Sequence, residues 1–312
     1  MLIIISNSLL FEYISKIEDE MSNTPFTIYK NKSLKNYCTF HLGGKAKYIF
    51  EVYTTLQLLS ACKFCEASKI KYKVIGFGSN LLFDDKGYNG AIIVNRTDRI
   101  RFYKNSCFVD SGVAINTLIK RSLTKKLSGL ENLVLIPSTI GGGIVNNVGA
   151  FDKELAEHVE YVECYKVGEL DKKVILWAKD CSFKYRDSLF RSQQYLITKV
   201  KINLIPDSKT AILERLNRYV YQKSSSQPIN QHSAGSVFKR TSIIPASKLI
   251  DDLGLKGLTV GGASVSKKHA GFIITDLHAK SKDVQTLIGI IKDKVLKSNG
   301  TILEEEIEYV KY

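Results

Sequence analysis

The amino-acid sequence predicts an α+β fold in a chain of 312 residues, which is long enough for two or three domains. Hydrophobic residues alternate with polar ones in some short segments and recur at helical spacing in others. Strands and helices do not follow one another with the regularity of a doubly wound sheet. The composition, with 44% hydrophobic and 24% charged residues, excludes a disordered or fibrous chain. No apolar run approaches the roughly 18 residues that a membrane-spanning helix needs.

Residues typical of helix ends help to place the predicted elements along the chain. A threonine suits the N-cap of a helix, a proline suits its first turn, and a glycine commonly ends it. In chain order, the predicted elements are a helix from Thr54 or Thr55 to about Lys69, strands at 72–75 and 91–94, a helix at 114–126, strands at 159–167 and 195–205, and helices at 211–223, 245–253 and 283–298. A composition shift at 206–227 predicts the connection into a last domain.

The net charge of +14 favours an anionic ligand. Nucleic acid is one candidate, but the basic residues are scattered as singles and pairs, without an RNP, zinc-finger or basic-helix signature. A nucleotide-type substrate or cofactor explains the charge as well, and so does a genome rich in lysine codons. Charge alone therefore leaves the ligand open.

The cysteines and the N-terminus both predict a cytoplasmic protein. Six cysteines, at positions 38, 62, 65, 107, 164 and 181, are too sparse for a disulfide framework. Cys62 and Cys65 fall inside the first predicted helix, and no second Cys/His pair completes a zinc site, so we expect core packing and no metal. The apolar start of the chain is followed at once by Ser6, Asn7 and Ser8, without a signal-peptide cleavage motif.

Three glycine-rich segments carry the first chemical signal. The sequence G-F-G-S-N at 76–80 directly follows a predicted strand, where bare backbone can approach a phosphate and point N–H groups at it. It is not a Rossmann fingerprint, since Leu81 replaces the third glycine, and Gly43-Gly44-Lys45-Ala46 lacks the Ser or Thr of a P-loop. The third segment joins I-P-S-T-I-G-G-G at 136–143 to N-N-V-G-A at 146–150. Convergence on one anionic cofactor would explain so much costly glycine.

With these segments in place, the sequence resembles the UDP-N-acetylenolpyruvoylglucosamine reductase family over about residues 31–310. Each motif is weak alone, but their joint order and spacing are highly specific. In chain order the motifs are L-K-N-Y-C-T-F-H-L-G-G at 34–44, G-F-G-S-N-L-L at 76–82, G-L-E at 129–131 with the segment at 136–143, Y-R-D-S-L-F at 185–190, Q-P at 227–228, S-A-G-S-V-F-K at 233–239, K-L-I at 248–250, G-G-A-x-V-S-x-x-H-A-x-F-I at 261–273 and L-E-x-E-I at 303–307.

The resemblance implies a two-lobed FAD-binding module of the vanillyl-alcohol-oxidase type, followed by an α+β substrate domain. The implied parts are an N-terminal extension at 1–22, lobes at 23–80 and 81–206, a substrate-binding domain at 207–303, and a C-terminal segment at 304–312 that returns to the active site. FAD and NADPH are the implied cofactors, and UDP-N-acetylglucosamine enolpyruvate is the implied substrate. A monomer without nucleic-acid or membrane partners is expected.

The resemblance also implies roles for individual residues. Arg186, Ser236 and Glu306 match the catalytic positions: a guanidinium for the developing carboxylate charge, a hydroxyl acid for C2, and a carboxyl group kept protonated. Cofactor-binding positions are Gly43, Gly44, Gly76, Gly78, Ser79, Asn80, Leu81, Pro137, Ser138, Thr139, Gly141, Gly142, Asn147, Gly149 and Ala150. Substrate-binding positions are Tyr185, Lys239, Lys248 and His269. Local sequence alone favours plainer roles: a structural arginine, a turn serine and a solvated acidic patch.

Several positions depart from the family pattern, and two alternatives stay open. The departures are Cys38, His41, Ser138, Asn146, Asn147, Thr275 and Glu308. Another FAD oxidoreductase of the same cofactor fold, acting on a sugar or alcohol, would share the glycine segments but need not carry Ser236 or Glu306. A basic nucleic-acid-binding protein would explain the charge and nothing else. Only 50 positions separate Arg186 from Ser236, which predicts the family branch without an inserted tyrosine loop.

Overall fold

The structure is a computed structural model that describes residues 27–241 and 244–312. The first lobe contains β1 (Thr27–Ser33), β2 (Lys45–Val52), α1 (Thr55–Ala67), β3 (Tyr72–Ile75), β4 (Leu81–Phe83) and β5 (Tyr88–Asn95). Its sheet has the order β1-β2-β5-β3, with β5 parallel to both neighbours. Thr54 caps α1 in a capping box with Gln57, as the sequence predicted. The predicted extension at 1–22 lies outside the described residues.

The boundary between the lobes differs from the predicted one at residue 80. Strand β5 is buried along most of its length and pairs with β2 and β3, so the first lobe continues to Asn95. A buried parallel strand needs partners on both edges, and only the first lobe supplies them. The sequence motif at 76–82 therefore crosses between two strands of one lobe and does not separate the lobes.

The second lobe is built on an antiparallel sheet of order β12-β11-β13-β7-β6. Its elements are β6 (Ile100–Tyr103), β7 (Ser106–Asp110), α2 (Ile115–Thr124), β8 (Leu127–Ser128), α3 (Ile140–Val145), β9 (Gly149–Ala150), β10 (Lys153–Glu154), β11 (Val159–Lys166), β12 (Glu169–Trp177), β13 (Tyr195–Asn203) and β14 (Ile205–Pro206). Leu170 and Leu196 of the second lobe pack against α1 of the first lobe, so the two lobes share apolar contacts.

The C-terminal domain packs on the first lobe and sends the chain end back to it. Its elements are α4 (Lys209–Ser226), α5 (Ala246–Asp252), β15 (Thr259–Val260), β16 (Ala263–Val265), β17 (Ile273–Thr275), α6 (Ser281–Asn299) and β18 (Glu308–Val310). Helix α6 buries Val284, Leu287 and Ile291 at helical spacing and ends at Gly300. Strand β18 pairs in parallel with β4. Within the described residues, no helix has the length and apolarity to cross a membrane.

Candidate active site

Two adjoining cavities lie where the lobes and the C-terminal domain meet. The first, of about 610 Å³, lies between the lobes, and the second, of about 680 Å³, is closed on one side by the C-terminal domain. Both fall in the size range of ligand pockets. The residues that line both cavities are Ser79, Asn80, Ser138, Gly142 and Asn146. The two cavities therefore share one wall, and we call the two together the cleft.

The segment at 76–80 presents bare backbone to the first cavity. None of the N–H groups of residues 77–80 has a hydrogen-bond partner within the described part of the chain. A Cβ added at Gly76 would lie 2.3 Å from Oγ1 of Thr139 in the other lobe. Gly78 has a φ of +62°, which a glycine adopts without cost. These features fit a phosphate cradle, and FAD carries a diphosphate.

The triple glycine, by contrast, does not form a loop. Gly141, Gly142 and Gly143 lie in the six-residue helix α3, which Thr139 caps by accepting from the N–H of Gly142. The N–H of Ile140 donates to Val113 and that of Gly141 to Ser111. The N–H groups of the first turn are therefore already hydrogen-bonded. The glycines let the backbone of this segment lie close to the cleft, but they offer no free N–H groups from this turn.

Five sequence-predicted site residues lie outside both cavities. Gly43 and Gly44 are tightly packed, since a Cβ would lie 2.6 Å from Cβ of Phe83 or 2.4 Å from the Asp85 carbonyl oxygen. The other three are Asn147, which binds Glu154 and the Lys184 carbonyl, and Lys239 and Lys248, which pair with Glu304 and Asp252. Packing or pairing explains each of them, and their ligand roles stay predictions.

The remaining predicted residues line the cleft. In the first cavity these are Gly76, Gly78, Ser79, Asn80, Leu81, Ser138, Thr139, Gly141 and Gly142. In the second they are Ser79, Asn80, Pro137, Ser138, Gly142, Gly149, Ala150, Tyr185, Arg186, Ser236, His269 and Glu306. The sequence motifs of all three parts of the chain therefore converge on one cleft.

The three predicted catalytic residues come together in the second cavity. Nε of Arg186 lies 2.9 Å from Oε1 of Glu306, and Nη2 donates to the Gly149 carbonyl at 2.7 Å. Arg186 has a φ of +55°, a strained conformation for a residue with a side chain. The backbone N–H of Glu306 donates to the Val237 carbonyl, beside Ser236. The fold thus fixes the positions of Arg186 and Glu306, the two members of this ion pair.

Burial shifts the pKa values of three side chains that line the second cavity. Burial raises the pKa of Glu306 above its ordinary value, although Arg186 opposes that shift. Burial likewise lowers the pKa of His269, with Lys256 contributing. Lys223 on α4 is 3% exposed, and burial lowers its pKa to about 8. Its ammonium donates to the carbonyls of Asn132 and Val134.

Sequence reasoning missed several residues of the cleft. Lys223, Arg240 and the stacked rings of His41 and His232 line the second cavity. At the first cavity, the carboxylate of Glu308 accepts from Lys73 at 2.6 Å and from Gln193 at 3.2 Å, which links three separate parts of the chain. Of these, only His41 and Glu308 gave a signal in the sequence, as departures from the family pattern.

Comparison with known proteins gives the same assignment. The FAD binding domain family model matches residues 46–168, and the model of the C-terminal domain of UDP-N-acetylenolpyruvoylglucosamine reductase matches residues 227–310. The reductase of Caldicellulosiruptor bescii is 36% identical over 95% of this chain and 94% of its own length, and that of Chlamydia felis is 35% identical over 95% and 98%. The crystal structure of the Thermus caldophilus reductase superposes with a TM-score of 0.77 at 30% identity, covering 91% of this chain and 98% of that one.

The fold and the cleft define a flavin-dependent oxidoreductase. More narrowly, the chain belongs to the UDP-N-acetylenolpyruvoylglucosamine reductase family. This confirms the predicted α+β fold with its FAD-binding module, and FAD and NADPH as cofactors. The branch without a tyrosine loop stays a prediction. Tyr219 and Tyr221 both lie on α4, where Tyr219 packs against Phe151 with ring centroids 4.7 Å apart and Tyr221 is exposed.

Proposed function

We propose that this chain reduces UDP-N-acetylglucosamine enolpyruvate to UDP-N-acetylmuramate in peptidoglycan precursor synthesis, with the enolpyruvyl group held in the second cavity. The observation that carries the proposal is the contact of Arg186 with Glu306 beside Ser236, in a cavity that shares a wall with the one that fits FAD. A sugar or alcohol oxidase would need the cofactor cavity but not this constellation. The family match over 227–310, which includes Ser236 and Glu306, disfavours that alternative.

The proposed task of Arg186 is to stabilise negative charge on the substrate carboxylate. When bound, FAD accepts a hydride from NADPH and supplies it to C3 of the enolpyruvyl ether. Charge then develops into the carboxylate, and a guanidinium can bind it with two parallel N–H donors. The contacts to Gly149 and Glu306 fix the side chain before the substrate arrives. Preorganised donors of this kind lower a barrier because they need no reorientation during the reaction.

The proposed acid is the hydroxyl group of Ser236, which gives its proton to C2. The residue is half-buried, and its backbone is fixed by a bridge to Phe272. A serine is a weak acid in water, but a carbanionic acceptor takes its proton when the two atoms are held in contact. Glu306 assists from the same wall, because its raised pKa keeps the carboxyl group protonated to higher pH, where it can donate to the substrate carboxylate.

We further propose that the enzyme is monomeric and cytoplasmic, with the sugar nucleotide and NADPH as its ligands and without nucleic-acid or membrane partners. Light scattering of the purified holoenzyme at several concentrations tests the oligomeric state. A mass that stays near 35.0 kDa is expected. Salt-dependent binding to DNA would contradict the proposed absence of a nucleic-acid partner.

The decisive test of the function is anaerobic spectroscopy of the purified yellow protein. NADPH should bleach the flavin absorbance, and UDP-N-acetylglucosamine enolpyruvate should then restore it without oxygen. UDP-N-acetylglucosamine, which lacks the double bond, serves as the matched control and should leave the solution bleached. Bleaching without recovery on the enolpyruvyl substrate would contradict the proposed substrate and leave only the flavin assignment standing.

A further inference from the structure

Two histidines stack on one another in the wall of the second cavity, where the first lobe meets the C-terminal domain. The ring centroids of His41 and His232 are 4.0 Å apart, and the ring planes are inclined by 15°. One protonated imidazole is stabilised by a neutral ring against its face, whereas two protonated rings repel each other. The pair can therefore carry one positive charge readily and a second one only at a cost.

The backbones of both histidines are fixed by the same buried threonine. The hydroxyl group of Thr275 donates to the carbonyl of Phe40, next to His41, at 2.8 Å. The backbone N–H of Thr275 donates to the carbonyl of His232 at 3.0 Å. His41 itself has a φ of +55°, an uncommon conformation that this packing maintains. The stack is thus a built feature that joins two domains across the cavity wall.

The surroundings of the pair favour an anion. The neighbouring residues 39–42 and 230–233 include no charged side chain. The other titratable side chains that line the cavity are Tyr185, Arg186, Lys223, Arg240, His269 and Glu306. Among the described lining residues Glu306 is the one carboxyl group, and Arg186 pairs with it. Partial burial and the adjacent His232 lower the pKa of His41, so a negative charge bound close to the stack would favour its protonation.

We propose that the His41–His232 stack binds the diphosphate of the sugar nucleotide and takes up one proton as it does so. This inference rests on the proposed function, in which Arg186 and Glu306 face the substrate carboxylate. The diphosphate is the other anionic group of that substrate, and Arg186 is already engaged. Because a diphosphate diester has no proton to gain in the range where histidine titrates, a change of affinity in that range reports on the protein.

The test is binding of UDP-N-acetylglucosamine to the oxidised holoenzyme by calorimetry, in buffers that differ in ionisation enthalpy. Uptake of about one proton is expected, with Kd rising up to about tenfold per pH unit above the pKa of the free pair. His41→Asn, a residue that tolerates positive φ, should reduce the proton uptake and weaken binding about tenfold near pH 5.5. His232→Asn should do the same. His278→Asn, at an exposed histidine of the same domain, is the control and should behave as the wild type.

Each outcome decides the inference. Unchanged proton uptake in both His41→Asn and His232→Asn, with normal FAD content, would overturn it. Proton uptake with NADP⁺ but not with UDP-N-acetylglucosamine would also overturn it, because the histidine pair would then bind the dinucleotide and not the sugar nucleotide. Turnover of the enolpyruvyl substrate with pH-independent binding would remove the stack from recognition while the proposed function stands. Absence of turnover, with proton uptake intact, would instead count against the function.

Discussion

The two cavities of the cleft differ in the groups that they present to a ligand. The first is shaped by backbone at 76–80 and at α3, and a Cβ added at Gly76 would collide with Thr139 of the facing lobe. The second is shaped by charged and titratable side chains, with Arg186, Glu306 and Lys223 in its wall. Backbone gives the first cavity a fixed form at 76–80, with charged side chains such as Lys73 and Glu308 at its rim, whereas Arg186 and Glu306 give the second its chemistry. Substitutions should therefore separate cofactor retention from catalysis.

The largest effect is expected in the second cavity, at Ser236. Ser236→Ala should slow recovery of flavin absorbance on the enolpyruvyl substrate by about 10² to 10⁴-fold, because a positioned acid is lost. Bleaching by NADPH should remain near the wild-type rate, since that step needs no proton on carbon. Anaerobic stopped-flow absorbance measures the two steps separately. Equal slowing of both would mean that the hydroxyl group shapes the site and is not the acid.

A large effect on stability is expected at Lys223, because its charge is buried. Its pKa is lowered from 10.5 to about 8 in the folded protein, so above pH 8 the unfolded chain holds more protons at this group. The contribution of Lys223 to the free energy of unfolding should therefore rise by roughly 3 kcal/mol between about pH 8 and pH 10.5. Urea unfolding of wild type and Lys223→Met over this range isolates the contribution as a difference. A difference independent of pH would contradict the assigned burial of charge.

A smaller effect, confined to cofactor binding, is expected at Gly76. Gly76→Ala places a Cβ 2.3 Å from Oγ1 of Thr139, which is buried and caps α3, so it has little room to move. Overpacking of this kind costs about 1 to 3 kcal/mol, and because the clash with Thr139 can be relieved only by moving the two lobes apart, we expect FAD affinity to fall by roughly 10 to 10²-fold. Flavin fluorescence quenching on titration of the apoprotein measures it. Gly289→Ala on α6 is the control: among the described residues, nothing lies within 4 Å of the added Cβ, so this variant should bind FAD as the wild type does.

The smallest effect is expected at the rim of the first cavity. Glu308→Gln keeps the size of the side chain but removes the charge that accepts from Lys73 and Gln193. Loss of one charge-assisted link of this kind should speed FAD dissociation about threefold to tenfold. Glu169→Gln removes an exposed ion pair with Lys166 and serves as the control. Identical FAD dissociation from both variants would show that the rim contacts do not retain the cofactor.

The sequence predicted best what local chemistry determines. The cap of α1 at Thr54 and the apolar spacing of α6 are properties of a few neighbouring residues, and both were confirmed. Helix α3 was missed because glycine has a poor helix propensity, and its first turn is held by carbonyl groups of Ser111 and Val113. The lobe boundary was misplaced because β5 takes its partners from the tertiary fold.

The candidate site was predicted in the same uneven way. The family resemblance predicted Arg186, Ser236 and Glu306 as site residues, although these residues lie far apart in the chain. The stack of His41 on His232 could not be predicted, since neither position has a pattern that points to the other. Gly43 and Gly44 show the limit of a glycine signal, because a glycine pair required by packing has the same sequence signature as one required by a ligand, and their ligand roles stay predictions.

The most direct test of the division between the cavities is the flavin-to-protein ratio of two variants after gel filtration. Ser236→Ala and Gly76→Ala each alter the cleft at one atom, in different cavities. The account predicts that Ser236→Ala retains flavin at the wild-type ratio while failing in the second half-reaction, and that Gly76→Ala elutes depleted of flavin but regains both half-reactions when excess FAD is added. Flavin loss from Ser236→Ala, or full retention by Gly76→Ala, would contradict it.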